Sequence, residues 1–190
     1  MIVKKVPIVG GLIIGLLVFL IYIASRGRVA MSGDVVIYKD IDDLTSSASD
    51  IVRVEVLGSR VRRINTTLPP STQRNREIVT IHRLRIMEVF KGSEEPGAIM
   101  EVMQLGRISR RQHANYGLID FETGEDLILF MESFNDGLPA VLLTTHQAVY
   151  RVATSDDGYI EIEGYFDFSP FTLTMEDLER IADEYFGRNP

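Results

Sequence analysis

Three histidines, His82, His113 and His146, are the side chains best suited to proton transfer or metal binding in this chain of 190 residues. None has a second His or a carboxylate two, three or four positions away, so no strand or helix presents a ready pair of ligands. A zinc site would have to be assembled in space from all three. His82 alternates with Leu84 and Ile86, the setting of a hydrogen-bonded histidine in or beside a core. His113 falls in a basic loop, and His146 follows Thr144 and Thr145 near a strand end. With no cysteine in the chain, thiolate catalysis, disulfides, Fe–S clusters and Cys-based zinc sites are excluded together. The chain also lacks G-x-S-x-G, S-x-x-K, H-E-x-x-H, G-x-G-x-x-G and the nucleotide phosphate loop. Asp156-Asp157-Gly158 lacks the ligand spacing and terminal Glu of a calcium loop and reads as a turn. Glu161 with Glu163, or Glu125 with Asp126, would serve a glycosidase only inside a carbohydrate cleft. No catalytic, cofactor-binding or metal residue is therefore assigned. The enzymatic alternative is a site assembled from His82, His146 and nearby carboxylates.

The elements that must position these side chains are mostly strands. In residues 51–57, Val52, Val54 and Val56 alternate with Arg53 and Glu55, the period of a half-buried strand. Residues 77–90 form the longest strand candidate. Thr80, His82, Leu84 and Ile86 fall on one face, with Ile81, Arg83 and Arg85 on the other. That alternation slips at Met87-Glu88, which predicts a bulge. Residues 98–105 alternate Met100, Val102 and Gln104 against Ile99, Glu101 and Met103. Residues 127–131 (LILFM) are continuously apolar, the signature of a strand covered on both faces. Strands are also expected at 141–145, 148–154 and, after a turn at Asp157-Gly158, 159–163. Residues 40–49 read as a short helix or turn, and 65–75, with Pro69-Pro70, as a loop. Thr174 followed by Asp177 three residues later opens a helix over 174–186, with Leu178, Ile181, Ala182 and Tyr185 on its apolar face and Gly187 ending it.

Ahead of these strands lie 20 residues, Val6 to Ser25, without a charged side chain. As a helix they span about 30 Å, the hydrocarbon thickness of a bilayer. The reading is an uncleaved signal anchor: residues 1–5 a cytoplasmic tail, 6–25 a transmembrane helix, 26–33 a linker and 34–190 an extracytoplasmic domain at the cell membrane. A five-residue tail ahead of an export-like segment sets that orientation, since Lys4 and Lys5 balance Arg26 and Arg28.

The order of features resembles a known module. A helix precedes Ala48-Ser49-Asp50-Ile51-Val52; a Val-rich strand ends in Glu88-Val89-Phe90-Lys91-Gly92; then come Met100-Glu101-Val102, Gly124-Glu125-Asp126-Leu127-Ile128-Leu129-Phe130 and Ala148-Val149-Tyr150-Arg151-Val152. This is similar to bacterial exported domains with an OB-fold-like barrel, akin to the netrin and tissue-inhibitor-of-metalloprotease (NTR-like) module, over residues 41–162. The resemblance implies a binding module. Metalloprotease inhibition through an N-terminal cysteine does not carry over, because the chain has none. The expected fold is mainly β: a small OB-like barrel with a C-terminal helix, preceded by the transmembrane helix.

Charge is the strongest functional signal. Residues 53–111 carry 12 Arg plus Lys against 6 Asp plus Glu, while residues 112–190 carry 3 against 16. One reading has the halves neutralise each other, Arg53, Arg83 and Arg85 pairing carboxylates on neighbouring strands. The other gathers Arg60, Arg62, Arg63, Arg74, Arg76, Arg107, Arg110 and Arg111 into a basic rim for anionic lipid, wall polymer or an acidic protein. Nucleic acid is disfavoured: apart from His82, the only aromatic between Arg53 and Arg111 is Phe90, and the pI is near 5.0. The chain reads as a membrane-anchored binding or scaffolding domain without enzymatic activity and without a cofactor. A structural subunit of a membrane complex, held by its transmembrane helix, is the further alternative.

Overall fold

The computed structural model describes residues 36–65, 76–106, 118–134, 137–155, 159–166 and 169–187. The anchor, tail and linker readings, His113, Arg74 and Arg107–Arg111 lie outside the described residues. No helix among those described is long and apolar enough to cross a membrane.

The chain is mainly β. A short helix α1 (Ile41–Ser47) leads into β1 (Asp50–Asn65), followed by β2 (Arg76–Lys91), β3 (Ile99–Leu105), β4 (Asp126–Glu132), β5 (Ala140–Leu142), β6 (Val149–Thr154), β7 (Ile160–Gly164) and a terminal helix α2 (Met175–Phe186). The seven strands of the described residues form one mixed sheet in the order β1-β2-β3-β5-β4-β6-β7, and β1 also pairs with β4. The pairings of the first five strands thus return to their start. All are antiparallel except β3 with β5.

Period-two alternation divides the apolar residues between two clusters. Val52, Val54 and Val56 of β1, Leu84 and Ile86 of β2, Met100 and Val102 of β3, and Leu127, Leu129 and Met131 of β4 pack together on the inner side of the ring of pairings. Ile51, Phe90, Ile128, Phe130 and Tyr150 point to the opposite side. There Leu44 of α1 and Leu178 and Ile181 of α2 cover them. β4 is continuously apolar because it feeds both clusters: all five residues from Leu127 to Met131 are buried.

The predicted slip in β2 is present. Arg53 pairs with Glu88 and Val54 with Ile86, leaving Met87 as the extra residue; a second skip leaves Phe90. The Met87 bulge turns Val89 toward the inner cluster and Phe90 toward the outer one. On β1 the register skips Leu57, and Gly58 follows with φ 147. Beyond that bulge, Ser59 comes to lie opposite His82.

Both helix ends are set locally. Asp40 caps α1, accepting the Asp43 N–H at 2.8 Å. Thr174 and Asp177 form a reciprocal capping box on α2, and Gly187 closes it at φ 65. Two expectations need correction. The strand expected over 141–145 is only Ala140–Leu142, because its pairing is short: Ala140 and Val141 with β3, Val141 and Leu142 with β4. The chain then turns through residues 145–147, carrying His146 with it. Tyr185 is 50% exposed, so the packed face of α2 ends at Ala182.

Candidate functional site

Two constellations could carry function: a polar relay running from exposed Ser59 to buried His82 and Gln104, and a cationic arm formed by the ends of β1 and β2. The relay is built from three strands. β2 places His82 on the inner face with no exposed surface. The Leu57 bulge swings Ser59 of β1 to the same face, and the alternation of β3 sets Gln104 beside it. Ser59 Oγ lies 2.7 Å from His82 Nδ1, and Gln104 Nε2 lies 2.7 Å from His82 Nε2. A serine at that distance from a histidine invites a nucleophilic reading.

The proton inventory forbids it. Gln104 is locked by the backbone of Ile119: its Oε1 accepts the Ile119 N–H at 2.8 Å, and its Nε2 donates to the Ile119 carbonyl at 2.9 Å. That fixes which end of the amide is nitrogen. The second Nε2 hydrogen therefore points at His82 Nε2, which must accept it. His82 then carries its proton on Nδ1 and donates to Ser59, so its basic lone pair is spent on Gln104 and cannot activate the hydroxyl. Burial lowers the His82 pKa to about 4, with Asp120 pulling weakly upward, so the ring is neutral at pH 7. The Phe121 ring packs 4.6 Å away, centroid to centroid. The relay ties β1, β2, β3 and the Ile119 segment together. His82 is the hydrogen-bonded core histidine that its alternation with Leu84 and Ile86 suggested.

His146, the other half of the enzymatic alternative, lies against Phe166 at 5.0 Å in the turn after β5. Among the described residues no three His, Asp or Glu side chains group as metal ligands.

The arm follows from strand length. β1 and β2 run 16 residues each, but β1 pairs with β4 only through Glu55 and β2 with β3 only from Val79. The far ends, Arg62 to Asn65 against Arg76 to Val79, pair chiefly with each other. Arg60, Arg62 and Arg63 are exposed there, and so are Val61 at 43% and Ile78 at 39%. Arg76 closes the register opposite Asn65. Arg60 is not a free cation, because it meets Glu101 at 2.7 Å. Arg62 and Arg63 have no carboxylate partner among the described residues.

Among the described residues, mutual neutralisation of the two halves is slight. Arg53 reaches Asp126 with two nitrogens, at 2.6 to 3.2 Å, and this pairing raises its pKa. It is the one pair among the described residues that joins the basic stretch to the acidic half. Arg85 and Arg60 instead use Glu55 and Glu101 of their own stretch. Arg83 stands opposite Glu101 in the strand register but forms no ion pair among the described residues. The segment carrying Arg107, Arg110 and Arg111 leaves at Gly106, whose N–H and carbonyl bond Ile78 and Thr80 beside the arm. It re-enters at Leu118, whose side chain packs against Gly106.

Sequence reasoning missed Ser59 and Gln104. Gln104 left a usable signal, a polar residue in line with Met100 and Val102. Ser59 left none, since only the Leu57 bulge brings it to the inner face. Comparison with known proteins finds no family model that matches the chain and no curated protein that matches it.

Proposed function

We propose that this chain is a membrane-anchored, extracytoplasmic binding module whose β1–β2 arm grips an anionic lipid surface, and that it is not an enzyme. The observation that carries the reading is the arm itself: two exposed arginines without carboxylate partners among the described residues, Arg63 on the face that Val61 and Ile78 share and Arg62 on the other. Cations flanking apolar side chains suit a headgroup layer, where charge attracts and aliphatic groups reach the acyl boundary. A soluble acidic protein or wall polymer would use the arginines and leave Val61 and Ile78 idle. The OB-like barrel is the architecture we infer for the inner cluster. Its support is the return of the pairings from β4 to β1 and the single parallel pair, β3 with β5. The anchor is inferred from the uncharged run Val6 to Ser25.

The test holds the full chain in neutral-lipid nanodiscs and measures capture of separate phosphatidylglycerol vesicles. Arg62→Gln with Arg63→Gln should weaken capture about thirtyfold, at about 1 kcal/mol per cation near an anionic surface. Raised salt should shrink that difference. Capture that is unchanged in the double variant, or equally strong with phosphatidylcholine vesicles, refutes the reading. Selective capture of wall polymer by the same arginines would reassign the partner.

A further inference from the structure

A second surface lies on β7, which has β6 on one side and, among the described residues, no strand on the other. The hydrogen-bond phase of that free side is fixed by its flanks. Tyr165 N donates to the Val149 carbonyl at 3.0 Å, and Ser155 N to the Tyr159 carbonyl at 2.9 Å. In an antiparallel ladder the bonded residues alternate, so Tyr159, Glu161, Glu163 and Tyr165 turn their backbone groups toward β6. Ile160 and Ile162 turn theirs outward, and among the described residues those groups meet no partner. An open groove of about 700 Å³ runs along this side, lined by Ile160, Glu161, Ile162, Glu163, Leu173 and Glu176 among others. Residues of both faces of β7 line it and none of β6 does, so the groove wraps the strand's edge.

The charge of the groove selects its occupant. Glu161, Glu163 and Glu176 line it and no Lys or Arg does. Charged side chains normally protect a sheet edge from pairing. Here all three share one sign, which repels acidic strands and leaves cationic ones welcome. A second copy of this strand is opposed as well. Antiparallel self-pairing centred on Ile162 sets Glu161 against Glu163 of the other copy, and pairing Ile160 with Ile162 sets Glu161 against itself.

We propose that β7 accepts an extended cationic segment of a partner protein as an eighth strand. Its outward N–H and carbonyl groups bond the backbones of Ile160 and Ile162. Its Lys or Arg side chains, at alternate positions, face Glu161 and Glu163, while the intervening apolar side chains face Ile160 and Ile162. This edge is independent of the cationic arm, which belongs to other strands and carries the opposite charge.

The probe is the peptide acetyl-Arg-Val-Arg-Val-Arg-Val-amide, with a block control of three Arg followed by three Val. Binding to the full chain in non-ionic detergent is read by fluorescence anisotropy, and amide exchange by NMR or mass spectrometry. The alternating peptide should bind at least tenfold tighter than the block control and should slow exchange at Ile160 and Ile162. Glu161→Lys with Glu163→Lys should abolish this binding and admit a Glu-Val alternating peptide instead. Ile160→Pro removes an outward donor that the β6 ladder does not use, and it should weaken binding with every charge in place. Arg62→Gln with Arg63→Gln should leave peptide binding unchanged, which separates this surface from the arm. Equal binding of the block control, or tight binding that survives the charge reversal, overturns the proposal. So does exchange at Ile160 and Ile162 that the peptide leaves unaltered, or that a chain dimer slows without peptide.

Discussion

His82 shows how one buried ring links pH to stability. Its folded pKa of about 4 lies below the ordinary value of 6.5, so the unfolded chain binds the proton more readily. The contribution of the neutral, hydrogen-bonded ring is complete above about pH 6.5 and is lost as pH falls toward about 4. At 1.36 kcal/mol per unit, that loss comes to roughly 3 kcal/mol. His82→Phe should flatten the dependence of urea midpoints on pH in this window, relative to the parent chain. It should also cost about 1–3 kcal/mol at pH 7, because the second Gln104 hydrogen is left buried without an acceptor. Parallel pH curves for parent and variant would show that His82 is not the responsible group. The alternation of His82 with Leu84 and Ile86 made its burial legible, and the alternation of Gln104 did the same. Their joining through Ser59 was not legible, because a single extra residue at Leu57 decides which face Ser59 takes, and bulges leave no period of their own.

At the scale of elements, local chemistry was readable and non-local pairing was not. The α2 cap could be predicted from Thr174 and Asp177 because three residues contain the whole motif. The Thr174 hydroxyl holds the Asp177 carboxyl below its ordinary range, which is the expected mark of a made cap. Thr174→Ala should therefore lower stability by about 1 kcal/mol, read from the chemical denaturation midpoint. Thr174→Ser should leave it nearly unchanged, and a loss of equal size in both would remove the hydroxyl from the account. Gly92 is similar: it ends β2 at φ 119, and a Cβ there would collide with the Asp50 carboxylate. Gly92→Ala should destabilise by more than the Thr174 change, through both strain and collision. The short β5 was overestimated for the opposite reason. Val141 to Thr145 have strand-like composition, but a strand lasts only as long as its neighbours: β4 bonds Leu143 through the Phe130 carbonyl, and from Leu129 back to Leu127 that edge of β4 belongs to β6.

For the whole molecule, β4 is the common wall of two hydrophobic clusters, and that should make residues 36–190 unfold as one unit. Leu129 belongs to the inner cluster and Phe130 to the outer one, yet they are adjacent and both fully buried. Leu129→Ala should cost about 2–5 kcal/mol and Phe130→Ala about 3–5 kcal/mol. Either loss should lower a single transition, because neither cluster can come apart while β4 stays paired to β1. Hydrogen exchange supplies the spatial check. Amides of β1 and β4 around Val52 and Leu129 should exchange only through global unfolding, while the outward amides of Ile160 and Ile162 exchange faster than those of Glu161 and Glu163, which face β6. The competing picture treats the outer layer of α1, α2, β6 and β7 as a separate cap on an independent ring. It predicts that Phe130→Ala splits the melt in two, with the ring amides still protected after the helical signal is lost. A single transition shifted equally for both probes decides for the shared wall. The two surfaces proposed above would then be carried on one rigid frame, with the cationic arm on β1 and β2 and the acidic edge on β7.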